Sequence, residues 1–225
     1  MKLDDIVPWG RSYFEYRRMF RLNDEDLARS ILGCGDGPAS FNAEMTTMGH
    51  HVISVDPLYA FSAADIRARI DSTYDVVLVQ TRATAEHYLW SEFSGVEALG
   101  NARLAAMERF LQDYDDGLAA KRYLASSLPH LPFDGDAFDL ALCSHLLFLY
   151  SDHLSLEFHI ASLREMLRVA PEVRVFPLLD LDGAPSRHVE ATRRALEELD
   201  FHVELSPVPY EFQRGGNAMM RIERS

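Results

Sequence analysis

The chain of 225 residues is long enough for one large domain, and its 48% hydrophobic and 25% charged residues are typical of a globular protein. Its formal net charge of −13 argues against nucleic-acid binding, and the densest basic stretch, residues 17–21, is better explained as a solvated helix face. No apolar run approaches the roughly 18 residues that cross a bilayer, so no membrane partner is expected. The two cysteines and the lack of an evident signal peptide predict a cytoplasmic protein with free thiols.

The first part of the chain alternates predicted helices and strands. Tyr13, Tyr16 and Met19 recur at helical spacing, and Pro38 stands where the first turn of a helix tolerates a missing N–H. The elements predicted here are a helix (11–29), a strand (29–32), a helix (38–48) and a strand (51–56).

A helical insertion is predicted at about residues 71–117. The stretch YDVVLVQ (74–80) has the composition of a strand, but Tyr74, Val77 and Thr81 fall on one helix face. A doubly wound sheet needs only a short crossover at this point. The excess chain is either extra packing or a lid over a ligand, and we favour the lid.

The remaining chain predicts further strands and helices. The strands expected are 121–126, 138–145, 173–179, 202–208 and 218–224, and the helices are 151–170 and 186–199. The Gly-Gly pair in residues 214–217 suits a tight reversal between the last two strands. The pattern predicts a single α/β domain over residues 1–225, with a doubly wound, mostly parallel sheet, an antiparallel C-terminal hairpin and helices on both faces.

The stretch ILGCGDG carries the clearest functional signal. Glycines at the end of a strand let a ligand approach the main chain, and the start of the next helix offers unpaired N–H groups. The spacing fits neither a Walker loop nor the dinucleotide-binding pattern. Asp56 ends the second strand, where a carboxylate can accept ribose hydroxyls. The alternative is that Asp56 caps the turn before Pro57, and the two roles are compatible.

Three motifs in this order resemble those of class I S-adenosylmethionine-dependent methyltransferases. They are ILGCGDG, VISVDPLY and SLPHLPFDGDAFDLALCSHLLFLY, which look like the glycine motif, the acidic motif and the region that follows them. The resemblance implies a seven-stranded sheet whose last strand is antiparallel, S-adenosylmethionine as the cofactor, and methyl transfer to an acceptor. The acidic net charge favours a small-molecule acceptor.

The resemblance also implies a set of cofactor contacts. The glycines would face the methionine part, Asp56 would hold the ribose, and Leu58 would pack on the adenine. The full set is Gly33, Cys34, Gly35, Asp36, Gly37, Asp56, Pro57, Leu58, Ser127, Leu128 and Ser144. Two positions depart from the family pattern, because Ile31 and Ser127 stand where acids are usual. The methionine amino group would then need Asp36, Glu44 or backbone carbonyls.

Methyl transfer needs alignment and, for some acceptors, a base. His145, at the end of a predicted strand, is the candidate catalytic base, and the alternative is a packing histidine. The residues expected on the substrate side are Tyr13, Tyr16, Arg17, Tyr150 and Arg214. No metal site is predicted, because His153 and Glu157 are better explained as a surface ion pair than as ligands.

Two other classes of function compete with a methyltransferase. A protein that binds S-adenosylmethionine or S-adenosylhomocysteine without catalysis would explain Ile31 and Ser127. A nicotinamide-dependent oxidoreductase is disfavoured by the glycine spacing and by the missing Tyr-x-x-x-Lys pair. The sequence identifies neither the acceptor nor the oligomeric state.

Overall fold

A computed structural model describes residues 8–224 of the chain. The strands are β1 (Ile31–Cys34), β2 (Val52–Val55), β3 (Tyr123–Leu124), β4 (Leu140–Ser144), β5 (Glu172–Phe176), β6 (Phe201–Pro207) and β7 (Ala218–Arg224). The helices are α1 (Tyr13–Met19), α2 (Asp24–Leu27), α3 (Phe41–Thr47), α4 (Ala63–Ala83), α5 (Val96–Ala119), α6 (Leu156–Val169) and α7 (Val189–Glu197).

The strands form one sheet in the order β3-β2-β1-β4-β5-β7-β6. The first five strands in this order run parallel to one another, and β7 is antiparallel to both β5 and β6. The predicted α/β fold class with an antiparallel C-terminal hairpin is therefore confirmed. Because the chain leaves β1 toward β2 on one side and reaches β4 on the other, the strand order reverses at β1. Ligands bind beside such a reversal, at the carboxyl ends of the strands.

Alternate residues of β1 pack on opposite faces of the sheet, which explains why its whole sequence is apolar or glycine. Leu32 contributes to a core with Leu163 of α6 and Leu196 of α7. Ile31 belongs to a second core with residues of α1 and α3. A third cluster joins α4 and α5 to Tyr59 and Tyr123 at the β3 edge.

The prediction of one N-terminal helix over residues 11–29 is wrong, because the chain forms two short helices there. Ser12 and Glu15 make a capping box that starts α1 at Tyr13. Asn23 and Asp26 make a second box that starts α2. Arg21, between the helices, has a φ of 49°, which turns the chain.

The insertion begins earlier than the predicted residue 71. Ser62 and Asp65 form a capping box at the start of α4, and YDVVLVQ lies inside this helix. The buried face of α4 carries Ile66, Ile70 and Val77, which agrees with the helical periodicity of the sequence. A loop that contains a short 3-10 helix, Ala85–His87, connects α4 to α5.

Two smaller expectations are wrong. The helix after the glycine loop starts at Phe41 rather than at residue 38, so Pro38 lies in a turn before it. The connection between β6 and β7 spans residues 208–217 and is not a tight two-residue reversal. The longer loop has a structural role, because it reaches over the carboxyl ends of the parallel strands, as described below.

An ion-pair network fixes α2 to β5. Arg174 donates to both carboxylate oxygens of Asp26, at 3.0 and 2.8 Å, and it is only 5% exposed. Glu172 accepts hydrogen bonds from Arg174 at 2.8 Å, from Arg29 at 2.7 Å and from Arg221 at 2.7 Å. Burial by itself raises the pKa of the Glu172 carboxyl. The hydrogen bonds from the three arginines outweigh this effect and lower the pKa to about 2.

Candidate functional site

A cavity of about 480 Å³ lies at the carboxyl ends of β1, β2 and β4. The loops that follow these strands line it, together with the segment before α1, the insertion and the β6–β7 loop. Its position beside the reversal of strand order is the usual position of a ligand site in open α/β sheets. The volume falls within the range of small-molecule pockets, about 300–1,000 Å³.

The glycine loop brings main chain to the cavity wall. Gly35 and Gly37 have φ angles of +69° and +53°, which side-chain-bearing residues rarely adopt. A Cβ at Gly35 would lie 2.6 Å from the Leu146 Cδ2 atom. The Gly35 amide donates to the Val55 carbonyl at 2.9 Å, which ties the loop to β2. The positive φ angles therefore explain why glycine occupies both positions.

At Gly33 a side-chain contact, rather than the backbone conformation, requires glycine, and the sequence did not reveal this contact. A Cβ there would lie 1.8 Å from Asp36 Oδ2, because the Asp36 side chain folds back over the Gly33 main chain. Asp36 accepts hydrogen bonds from Tyr16 Oη at 2.9 Å and from Ser54 Oγ at 2.6 Å. Burial raises the pKa of Asp36 to about 6, although the hydrogen bonds from Ser54 and Tyr16 act in the opposite direction. Asp36 lines the cavity, so its charge depends on what binds there.

Asp56 joins the two loops that follow β1 and β2. Its carboxylate accepts a hydrogen bond from the Gly37 amide at 2.9 Å and another from the Leu58 amide at 2.8 Å. The second bond caps a short 3-10 helix, Pro57–Ala60, as one of the sequence interpretations requires. Burial raises the pKa of Asp56. Since each oxygen accepts one amide, both retain acceptor capacity toward the cavity.

Two short loop segments, each with a leucine, complete this side of the cavity. Pro57 and Leu58 line it after β2, and Ser127 and Leu128 line it after β3. The Ser127 carbonyl accepts a hydrogen bond from the His130 amide at 3.1 Å, which holds the loop closed. The wall is therefore apolar with a few polar atoms, as in most small-molecule sites.

His145 follows β4 with a φ of 54°, a left-handed conformation that is uncommon for a residue with a side chain. Its amide donates to the Phe176 carbonyl at 2.7 Å, and its Nδ1 atom lies 2.8 Å from Ser144 Oγ. Burial lowers the pKa of His145 well below its ordinary value, and the charges of Arg11 and Arg103 lower it further. The imidazole is therefore neutral at pH 7 and a weaker base than an exposed histidine.

A buried charge cluster lies on the same side as His145. Arg103 is 1% exposed and pairs with Glu15 at 2.6 Å, while Tyr210 Oη donates to Glu15 at 2.9 Å. These partners lower the pKa of Glu15 to about 2 against the effect of its burial. Arg11 lines the cavity next to this cluster, and burial together with the Arg103 charge lowers its pKa to about 10.

The insertion and the β6–β7 loop meet over the cavity. The Leu89 amide donates to the Phe212 carbonyl at 2.7 Å, and Tyr88 pairs with Gln213 in an isolated antiparallel bridge. The rings of Tyr88 and Phe212 stack at a centroid distance of 4.7 Å. Both segments therefore contribute aromatic side chains to the cavity wall.

The structure brings most of the sequence-predicted site residues to the cavity wall. Those that line it are Tyr16, Gly35, Asp36, Gly37, Asp56, Pro57, Leu58, Ser127, Leu128, Ser144, His145 and Tyr150. Those that do not line it are Tyr13, Arg17, Gly33, Cys34 and Arg214. Their positions in the fold explain the difference.

The five residues outside the wall have other partners. Cys34 packs in the core with α6, and Tyr13 stacks on Phe41. Arg17 pairs with Asp24 at 3.0 Å, and Arg214 Nε donates to the Glu86 carbonyl at 2.9 Å. Gly33 is covered by the Asp36 carboxylate, as described above.

Sequence reasoning missed several wall residues, namely Arg11, Tyr88, Phe176, Tyr210 and Phe212. The Ser12–Glu15 capping box was the available signal for Arg11, because it starts α1 at Tyr13 and leaves Arg11 in the loop before the helix. Nothing in the neighbouring sequence indicated that the aromatic residues line the cavity, because their positions depend on how loops distant in the chain pack together.

Within residues 8–224, no three histidine, cysteine, aspartate or glutamate side chains lie close enough together to hold a metal ion. Each helix in that same range is too short or too polar to cross a bilayer.

The strand order, the antiparallel β7 and the cavity after β1, β2 and β4 define the Rossmann-like fold of class I S-adenosylmethionine-dependent methyltransferases, as the sequence motifs predicted. The chain is 32% identical over 225 residues to an uncharacterized protein, MJ0045, of Methanocaldococcus jannaschii, with 100% of this chain and 99% of that protein covered. The chain therefore belongs to the same protein family as MJ0045. No protein-family model matches it.

Solved structures share the fold at low sequence identity. TnmH aligns with a TM-score of 0.50 and 13% identity over 95% of this chain, which spans 55% of the TnmH chain. Magnesium protoporphyrin IX methyltransferase from Synechocystis, crystallised with S-adenosylhomocysteine, aligns with a TM-score of 0.49 and 14% identity over 95% of this chain and 94% of its own.

Proposed function

We propose that the protein is an S-adenosylmethionine-dependent methyltransferase that acts on a small molecule, and that residues 1–225 form one catalytic domain. The observation that carries the proposal is one cavity with bare main chain at Gly35 and Gly37, the buried carboxylate of Asp36 and the partly buried carboxylate of Asp56, at the ends of β1 and β2. A nucleoside with a cationic amino-acid tail fits this combination of groups. The buried free thiols of Cys34 and Cys143 support a cytoplasmic location.

The cofactor's parts are assigned to the residues whose chemistry suits them. The Asp36 carboxylate and the Gly35–Gly37 main chain would hold the methionine tail, whose positive charge the carboxylate would attract. Asp56 would accept hydrogen bonds from the ribose hydroxyls with the lone pairs that its two amide partners leave free. The apolar side chains of Leu58 and Leu128 would pack on the adenine.

When bound, the cofactor supplies an activated methyl group, and the chain's own residues do the rest. The aromatic wall of Tyr88, Phe176 and Phe212 excludes water and orients the acceptor. His145, neutral at pH 7, accepts the proton that the acceptor releases. Its lowered pKa makes it a weak base, which suits an acceptor whose own proton is readily lost.

Isothermal titration with S-adenosylhomocysteine tests the cofactor site. Gly35→Val places a branched side chain where a Cβ already meets Leu146 at 2.6 Å, and Asp56→Ala removes the ribose acceptor. We expect each variant to lower the affinity at least about tenfold. The control is Gly49→Val, because Gly49 also has a positive φ (+84°) but a Cβ there meets no atom within 4 Å. Failure of the wild-type protein to bind, or equal affinities in all variants, contradicts the proposal.

A second function is a binding protein that does not catalyse. It is favoured by the low basicity of His145 and by Ser127, which stands where the resembling family commonly has an acid. Incubation with cell extract and cofactor carrying a labelled methyl group separates the two. Labelled small-molecule product supports the enzyme, and cofactor binding without any product supports the binding protein.

A further inference from the structure

The His145 side of the cavity carries more positive than negative charge. Arg11 and Arg103 lie there together, and Glu15 is the carboxylate near both of them. Glu15 is engaged by Arg103 at 2.6 Å and by Tyr210 at 2.9 Å. His145 is neutral at pH 7 because burial and the two arginines lower its pKa. Among residues 8–224, the cluster therefore contains two cationic guanidinium groups and one carboxylate.

Arg11 is the guanidinium that a ligand can reach. It lines the cavity, and its Nη1 atom donates to the Trp9 carbonyl at 2.9 Å. Its Nε atom is buried without a hydrogen-bond partner, and no carboxylate of residues 8–224 forms an ion pair with it. A buried donor without a partner is unfavourable, so an acceptor group that enters the cavity and meets Arg11 stabilises it.

We propose that Arg11 binds a carboxylate of the methyl acceptor, and that the acceptor is an aromatic carboxylate. This inference rests on the proposed methyltransferase function and specifies its substrate class. The aromatic part would lie among Phe176, Tyr210 and Phe212, which all line the cavity, and the Phe176 ring is next to the rings of both His145 and Tyr210. The planar guanidinium suits a carboxylate because two of its N–H groups can donate to the two oxygens.

The cofactor's own carboxylate is the competing partner for Arg11, and the electrostatics favour the acceptor. The Arg11 charge contributes to the lowered pKa of His145. The pKa of Asp36, the proposed partner of the cationic tail, is set by burial, Ser54, Tyr16 and Asp56, without Arg11. The Arg11 charge therefore acts on His145 at the end of β4, beside the proposed acceptor site, while the Arg11 main chain lies next to the glycine loop, where its carbonyl accepts a hydrogen bond from the Ser40 amide at 3.0 Å.

The first test compares benzoate with benzamide, which share a shape but differ in charge. Each is titrated into the wild-type protein saturated with S-adenosylhomocysteine, and binding is measured by calorimetry or by ligand-observed NMR. We expect benzoate to bind at least about tenfold more tightly, which corresponds to about 1.4 kcal/mol. Equal binding of the two probes overturns the inference, whatever the fate of the cofactor site.

The second test assigns the preference to one arginine. Arg11→Gln removes the preference for benzoate, Arg11→Lys retains part of it, and Arg164→Gln, an exposed arginine on α6, leaves it unchanged. Circular dichroism and a thermal melt check that each variant is folded. A variant Arg11→Gln that keeps the benzoate preference but binds S-adenosylhomocysteine tenfold more weakly assigns Arg11 to the cofactor and overturns the inference.

The tests also separate this inference from the proposed function. Absence of S-adenosylhomocysteine binding by the wild-type protein contradicts the methyltransferase proposal by itself. In that case the same benzoate and benzamide titrations on the ligand-free protein show whether Arg11 selects a carboxylate. Cofactor binding without a benzoate preference contradicts only the inference about Arg11.

Discussion

Replacing Asp36 by asparagine should change how the stability of the protein depends on pH. Asp36 is 8% exposed and holds hydrogen bonds from Tyr16 and Ser54. Its burial favours the neutral carboxyl, so the folded protein binds this proton more tightly than the unfolded chain does. Asparagine has similar shape and no charge, and it therefore removes this dependence on pH.

The magnitude follows from the pKa, which burial raises from 3.8 to about 6. Because the folded pKa is the higher one, the stabilisation is complete below the unfolded pKa and is lost as pH rises through the folded pKa. A shift of about two units corresponds to about 3 kcal/mol in total. About 2 kcal/mol of this is lost between about pH 4.5 and about pH 7.5.

Urea denaturation of the wild-type protein and Asp36→Asn across this range measures the effect. We expect the stability of the variant, relative to wild type, to increase by about 2 kcal/mol from the acidic to the neutral end. Asp134→Asn, at an exposed aspartate, serves as the control and should track the wild type. A difference between Asp36→Asn and wild type that stays constant with pH refutes the reasoning.

Three further outcomes are expected. Glu15→Gln leaves the buried Arg103 without its carboxylate and should lower the free energy of unfolding by about 3–5 kcal/mol, while Glu204→Gln, at an exposed strand position, should have little effect in the same urea titration. Gly33→Ala places a Cβ 1.8 Å from Asp36 Oδ2 and should cost about 1–3 kcal/mol by thermal or urea unfolding; an unchanged midpoint contradicts the contact. S-Adenosylmethionine should bind about tenfold more tightly at about pH 7 than at about pH 5, because its cationic tail favours ionised Asp36, and calorimetry of Asp36→Asn should show no such change.

The sheet could be predicted from the sequence because its signals are local. Apolar β1 leads into the glycine loop, Asp56 directly follows β2, and His145 directly follows β4, so all three strand ends could be placed to within a residue or two before the structure was known. Parallel strands bring their carboxyl ends to one edge, which also predicts that Asp56 and His145 face one cavity. The cofactor side of the candidate site follows from this logic.

The acceptor side could not be predicted in the same way. Arg11, Tyr88 and Phe212 line one cavity only because a loop before α1, the insertion and the β6–β7 loop fold over the same strand ends. Nothing in their spacing along the chain indicates this. The contact between the Asp36 side chain and the Gly33 main chain was also missed. In the sequence, a glycine that makes room for a neighbouring side chain looks the same as a glycine that makes room for a ligand.

The pairing of Asp26 with Arg174 makes the segment ahead of β1 an integral part of the domain rather than a removable cap. A shortened chain that began at β1 would keep Arg174 in the sheet with Glu172 but without the two hydrogen bonds to Asp26. The same deletion would remove Arg11 and Tyr16 from the cavity wall, and with them Glu15, the carboxylate partner of Arg103. The architecture of this protein thus places a partner of a buried sheet arginine and part of the cavity wall on the same N-terminal segment.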